Sequence, residues 1–256
     1  MTPLFEFEIF LVESDSSDNS RNILDRLKVK YDFFTYVSLG NLEEAIPNRI
    51  ERLIFCRNRY IDEIRNNLRF RSADYVMMID LDNRNSMLNT NSIRRSLENS
   101  NEWAALFCNQ KGRYYDILAL RHPIWCPRSV WEEMSWLSNI VSKGEAKKVA
   151  VHSRMFKVPS KSDLIPVQSA YGGLAIYKTS YLLDHDFSRR TIDSKWDIDF
   201  VILNRKITTS GGKLFIDPQL INLRWNHHSL DYFRIYRYWI IWVKRLRSAR
   251  RKLTFH

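Results

Sequence analysis

Glycine and proline are both scarce, seven of each in 256 residues, too few for a long flexible linker between domains. No internal repeat and no low-complexity tract is present. Cysteine is scarcer still. Cys56, Cys108 and Cys126 are odd in number, far apart and without a C-x-x-C pair, which argues against a disulfide framework or a zinc site and points to a reducing compartment. Long apolar runs are missing too. The longest near the end, Tyr238 to Val243, is far short of the roughly 20 residues of a membrane-spanning helix. The opening "MTPLFEFEIF" carries Glu6 and Glu8 and no basic region, unlike a signal peptide. A cytoplasmic location is the expectation. Acidic residues are absent from 232–256, "YFRIYRYWIIWVKRLRSARRKLTFH", which holds eight Lys and Arg.

What is present suits a packed protein. Apolar residues make up 45% and aromatics 13%, enough for a sizeable core in one large domain or two small ones. The net charge of +11 falls to +3 once residues 232–256 are set aside, so the tail is the basic element and the rest is nearly neutral.

Residues 5–12, "FEFEIFLV", alternate and then turn apolar, as a strand does on entering a buried sheet. The polar loop "ESDSSDNS" follows, then a helix over "RNILDRLKVK" and a strand over "YDFFTYVSL". The spacing predicts one long helix over 47–70, with apolar positions Ile50, Leu53, Ile54, Ile61, Ile64 and Leu68. A buried strand, "YVMMIDLD", comes next, with Val76 to Ile79 inside. A short helix is expected over 91–98, strands over "WAALFCNQ" and "YYDILALR", and a helix over 128–147. A strand from Ile165, Gly172-Gly173 and another strand precede a glycine-ended helix, "WDIDFVILNRKITTSGG", and a final strand, "KLFIDPQLINL". Alternating strands and helices predict an α/β protein with a mostly parallel sheet, in which ligands bind beyond the carboxyl ends of the strands.

Asp80 and Asp82 stand at such an end. A packed strand has no need of two carboxylates at its exit, whereas a D-x-D pair can turn both toward one divalent cation. Hard oxygen donors suit magnesium or manganese, which often bridge phosphates and neutralise a departing diphosphate. The acidic loop from Glu13 to Asp18 lies at a second strand exit. Gly172 and Gly173 mark a place where the backbone turns tightly or admits a ligand. Tyr171 beside them suits stacking on a sugar face or, equally, a half-buried place in an ordinary hairpin. Asp116 and Arg121 are candidates for contacting hydroxyls and diphosphate, or for pairing with each other.

Together "ADYVMMIDLD", "YYDILALRHPIWCP", "SAYGGLAIYK" and "GGKLFIDPQLIN" resemble a family of small type-A-fold nucleotide-sugar glycosyltransferases of bacterial and viral surface-glycan synthesis. The resemblance runs from about residue 8 to residue 228. It implies a Rossmann-like, mostly parallel central sheet flanked by helices, and a hexosyltransferase-type enzyme over residues 1–230. The implied ligands are a nucleotide-sugar donor such as a UDP-sugar, Mn2+ or Mg2+, and a saccharide or lipid-linked saccharide acceptor. It also implies a strand ahead of "FLVESDSS", for which only nine residues remain.

By the same resemblance Asp80 contacts the donor ribose or the metal's water, Asp82 is the direct metal ligand, and a late histidine, His228 rather than His227, completes the metal site. Glu13 or Asp15 faces the nucleoside, and Arg57 and Asn58 line the nucleotide pocket; a solvated helix face would account for that pair as well. The catalytic base falls at the start of the helix before the last strand, on Asp197 or Asp199. Trp196 stands where the family's pattern calls for an acid. Both aspartates would also suit a helix's positive amino end.

Two other classes fit parts of the sequence. D-x-D with basic charge suits a metal-dependent nucleic-acid enzyme, but the charge is confined to the tail rather than lining a groove, so no nucleic-acid partner is expected. A transferase remnant that binds without catalysis is the other. Residues 231–256 are expected to form a basic amphipathic helix. At 100° per residue Phe233, Tyr236, Trp239, Ile240 and Val243 share one face beside a basic side, which suits peripheral attachment to an anionic membrane surface.

Overall fold

Five residues of "FEFEIFLVE" become the first strand, β1 (Ile9–Glu13), which pairs in parallel with β2 (Phe34–Ser38), Ile9 opposite Phe34 and Glu13 opposite Ser38. The computed structural model describes residues 5–81, 85–99, 102–188 and 197–224. Asp82, His227, His228 and the segment 231–256 lie outside them. The described residues form a mixed α/β protein and fall into two compact units. One lies within Met1–Val76 and Tyr177–Gly212, the other within Met77–Ile176 and Lys213–His256.

In the first unit α1 (Ser20–Lys30) connects β1 to β2, and three helices follow: α2 (Leu42–Ala45), α3 (Arg49–Asn66) and α4 (Leu68–Arg71). The predicted single helix over 47–70 is broken because two asparagines cap separate pieces. The Asn48 side chain accepts from the N–H groups of Ile50 and Glu51, and the Asn67 side chain accepts from that of Arg69, each satisfying an otherwise orphaned donor. Of the predicted apolar positions Ile61 and Ile64 are buried, while Ile50 and Leu68 are exposed. The unit's later segment adds α8 (Ser180–Leu183) and α9 (Asp199–Thr209), the latter ending near Gly211 with φ of 87°. Arg65 Nε donates to the Leu183 carbonyl at 2.7 Å, tying α3 to α8.

A five-stranded sheet runs in the order β3 (Tyr75–Ile79), β6 (Leu174–Lys178), β4 (Ala105–Gln110), β7 (Leu214–Leu223), β5 (Ile165–Val167). β4 and β7 are parallel, and β5 is antiparallel to β7. Bonds from Asp80 N to Gly173 O and from Thr179 N to Asp74 O tie opposite ends of β3 and β6 together, so these two run in opposite directions. The sheet is therefore mixed. Its core gathers Trp103, Leu106, Cys108, Leu174, Ile176 and Leu220. Outside the strands, α5 (Thr90–Leu97) is fastened to β7 by the Ser96 hydroxyl on the Asp217 carboxylate at 2.6 Å. α6 (Val130–Leu137) and α7 (Lys143–Ala150) pack on each other.

Four local expectations are corrected. β3 is an edge strand, so only Met78 of its expected core residues is buried and Met77 is exposed. "YYDILALR" is not a strand: its residues form turns, with isolated bridges at Arg113 and Arg121, and its apolar side chains are buried by packing rather than pairing. The helix expected over 128–147 is two helices, because Ser142 caps a fresh start by accepting from Glu145 N. The strands either side of Gly172-Gly173 are not a hairpin, since β5 lies at the far edge from β6. Among the described residues no helix is long and apolar enough to cross a membrane.

Candidate functional site

Within the second unit the carboxyl ends of β3, β4 and β7 meet the amino end of β6 at one edge of the sheet. Each strand delivers a polar residue at or near its exit: Asp80 after β3, Gln110 at the end of β4 and Asn222 near the end of β7. The corner Tyr171-Gly172-Gly173, just before β6, is where they converge. Gly172 N donates to Asp116 Oδ2 at 2.8 Å, and its carbonyl accepts from the Tyr115 hydroxyl at 2.9 Å and from Asn222 Nδ2 at 3.0 Å. Gln110 Nε2 donates to Asn222 Oδ1 at 3.3 Å. Asn85 completes the network: its amide donates to the Asp80 carbonyl at 2.8 Å, and its oxygen accepts from Asn222 Nδ2 at 2.9 Å.

Asp80 is half-buried, and its Oδ1 accepts from the Tyr171 hydroxyl at 2.9 Å. Tyr171 is 5% exposed, so its ring is no platform for a sugar. Its role is to orient the carboxylate. Gly172 and Gly173 adopt φ of 73° and 92°, the left-handed region that glycine enters without steric cost. Gly172 is not opened toward a ligand, because a Cβ there would lie 2.9 Å from Cys108 Sγ and 3.2 Å from the Cys108 carbonyl oxygen. Its lack of a side chain lets two backbone segments pass closely. Burial pushes the Cys108 thiol far above its ordinary range, leaving it no nucleophilic character. Arg121 is buried and donates to the carbonyls of Leu118 and Leu120, so it holds its own loop.

The first unit collects the other predicted residues in two places. At the end of β1 the buried Glu13 accepts from the hydroxyl of Ser38 and from Ser16 N. Burial works to raise its pKa, but the Ser38 and Ser16 bonds, with help from the charge of Arg21, outweigh it and hold the carboxyl below its usual value. Asp15 adopts a left-handed backbone, φ of 63°, which aspartate tolerates better than most residues. Its Oδ1 accepts from Glu43 N at 2.8 Å, and its Oδ2 lies 3.6 Å from Arg52 Nε. Both acids thus build the loop between β1 and α1 and anchor it to the start of α2.

The second place is the amino end of α9. Asp199 is 4% exposed, forms an ion pair with Arg57, and accepts from Phe200 N through Oδ1. The Arg57 guanidinium sits 4.6 Å from the Phe200 ring centroid and 5.8 Å from that of Phe187, close enough for cation–π attraction. Asn58 brackets the Phe187 peptide, accepting from its N–H at 2.8 Å and donating to its carbonyl at 3.0 Å. Asp197 is half-buried, and its Oδ1 accepts from Ile198 N at 2.9 Å. Of the two candidate bases, Asp197 keeps the more accessible carboxylate.

Among the described residues no group of three or more His, Cys, Asp or Glu side chains is assembled to hold a metal; of the predicted ligands only Asp80 falls among them. What Asp80 offers fits a hard divalent ion: a carboxylate at a strand exit, oriented by a phenol. Asn85, Gln110, Tyr115 and Asn222 were not singled out from the sequence. The signal that marked Asp80, a polar residue closing an apolar strand, also marks Gln110 and Asn222. No protein-family profile and no curated protein matches this chain.

Proposed function

We propose that the chain is a metal-dependent glycosyltransferase of the type-A fold, moving a sugar from a nucleotide-sugar donor, such as a UDP-sugar, to a saccharide or lipid-linked saccharide acceptor in surface-glycan synthesis. The observation that carries the reading is Asp80. Its carboxylate stands at the exit of β3, oriented by the Tyr171 hydroxyl, on the edge where three strands end and where α/β sheets bind ligands. A half-buried carboxylate at that exit is the donor type that a hard divalent cation takes. The four motifs that resemble the family also include both Asp80 and the Tyr171-Gly172-Gly173 corner that holds it.

In this reading Asp80, with Asp82 and His228, would hold Mn2+ or Mg2+; when bound, the cation offsets the charge of the departing diphosphate. Asp116 and Asn85 fix the glycine corner and the β3 exit, so Asp80 keeps its aim. The base is assigned to Asp197, whose carboxylate takes the acceptor hydroxyl proton as the new glycosidic bond forms and the bond from the anomeric carbon to the diphosphate oxygen breaks, its electron pair leaving on that oxygen with the nucleoside diphosphate. Asp199 is assigned a structural role, since Arg57 already occupies it.

The test is a panel of nucleotide sugars with manganese, followed by thermal shift and by detection of released nucleoside diphosphate. Stabilisation and metal-dependent release by one donor are expected. Asp82→Ala should abolish metal-dependent binding with the melting temperature of the free protein unchanged. Nucleoside diphosphate binding with undiminished manganese dependence in that variant sinks the metal assignment. Salt-sensitive DNA binding, with no response to any donor, would instead favour the nucleic-acid class.

A further inference from the structure

On the exposed side of α6, Trp131, Trp136 and Ile140 stand out among Glu132, Ser135 and Asn139. Its outward positions, 131, 132, 135, 136, 139 and 140, form one stripe at helical spacing, continued past the helix end by the turn in which Ile140 N and Val141 N both donate to the Leu137 carbonyl. That stripe holds Trp131, 54% exposed, Trp136, 63%, and Ile140, 64%. The inward side is locked: Val130 is buried, and Glu133 binds both terminal nitrogens of Arg154 at 2.8 and 3.2 Å. The 3-10 turn carrying Arg154 in turn accepts the Trp125 indole N–H at 2.8 Å, and Trp125 stacks on Phe156 at 4.4 Å. Next to it in the chain, Ile124 caps a tight turn at 88% exposure. The tryptophans are therefore presented on a braced support rather than a loose loop.

We infer that this face, centred on Trp131, Trp136 and Ile140, docks on the surface of an anionic lipid bilayer. Indole rings favour the membrane–water boundary, where one side of the ring is apolar and its N–H is wet. Isolated aliphatic tips such as Ile124 and Ile140 suit shallow insertion. Charge selects the partner. Residues 122–161 carry seven Lys and Arg against three Glu; with Arg154 paired to Glu133 and Lys148 to Glu145, five cations remain against Glu132, which shares the face. The chain's own tail, with eight basic residues and no acid, would be repelled by such a face. A second copy docked face to face would bring like charge together. An anionic bilayer answers both the exposed tryptophans and the net positive charge of residues 122–161, and it does so whether or not the transferase reading holds.

The experiment uses the full chain with Trp239 and Trp242 changed to Phe, so that the tail contributes no signal, and vesicles of brominated phosphatidylcholine with or without anionic phosphatidylglycerol. Bromines quench tryptophans that enter the lipid. Anionic vesicles should quench this protein, and adding Trp131→Phe and Trp136→Phe should remove the larger part of the quenching while co-sedimentation persists, because Phe keeps the surface apolar. Arg128→Glu with Lys143→Glu, both exposed, should weaken vesicle affinity at least about tenfold, given roughly 1 kcal/mol per basic residue near the lipid. Unchanged quenching in the Trp131/Trp136 variant, or equal binding to neutral and anionic vesicles, overturns the proposal. So does a dimer in sedimentation velocity that Trp136→Ser dissociates, since the face would then belong to a second copy.

Discussion

Asp197 and Asp199 stand two residues apart at the same helix end, yet their surroundings give them different work. Asp199 is closed in by Arg57 and by the first turn of α9; removing one partner of such a buried pair leaves an uncompensated charge and costs about 3–5 kcal/mol. Asp197 is half-buried and accepts from Ile198 N through Oδ1. Asp197→Asn should accordingly cut transfer by about a hundredfold or more with the melting temperature nearly unchanged, while Asp199→Asn should lower the melting temperature first. Steady-state transfer rates and thermal melts on both variants check this; the reverse pattern moves the base to Asp199. Glu13 makes a second residue-scale case. Its folded pKa is held below the ordinary glutamate value of 4.5, so its contribution to stability is present above that value and is lost as pH falls through the folded pKa. Ser38→Ala removes the hydroxyl that helps to depress it, a bond to a charged group worth about 1.5–3 kcal/mol. The variant should melt below the wild type at neutral pH, and the gap should close in acid. A gap independent of pH would mean the serine matters for packing alone.

Elements were legible where one kind of information sufficed. The apolar runs of β4 and β7 announce buried strands, and both form within a residue or two of their expected limits. The caps were also written locally: Asn48, Asn67 and Ser142 each stand at the correct offset to start a helix, and reading across them as continuous periodicity was the error at 47–70 and 128–147. What was not legible is pairing at a distance. Nothing near Tyr115 says that its hydroxyl will reach Gly172, 57 residues on, and nothing near Asn222 says it will meet Asn85. Asp80 is legible as a candidate because a carboxylate at a strand exit is conspicuous by itself; the amides around it are ordinary until the strands are placed side by side. The glycine corner gives an element-scale prediction. Gly172→Ala puts a methyl against the Cys108 backbone in a left-handed conformation, and should cost at least about 2–3 kcal/mol from strain and overpacking. Gly211→Ala, equally left-handed but with nothing within 4 Å, should cost only the roughly 1–2 kcal/mol of the conformation. Urea titrations of the two variants compare them directly, and equal losses would show that crowding at Gly172 is relieved by movement of Cys108.

For the whole molecule, the basic segment 232–256 is proposed as a second means of membrane attachment. Its deletion should reduce co-sedimentation with anionic vesicles at low salt, with the difference shrinking at high salt as screening weakens the attraction; equal co-sedimentation with and without the segment removes it from the account. The chain's path through its two units has a different kind of consequence, one of timing. The first unit is drawn from residues up to Val76 and again from Tyr177–Gly212, and α3 reaches the later piece through Arg57 with Asp199, Asn58 with Phe187 and Arg65 with Leu183. On the ribosome those partners arrive only after more than a hundred further residues, on the order of ten seconds at ordinary elongation rates. Until then the Asp199 partner of Arg57 and the segment that packs α8 on α3 are missing. A nascent chain in this state is the one a chaperone would meet, and slowing translation between codons 77 and 199 would lengthen its exposure without changing a single residue of the finished protein.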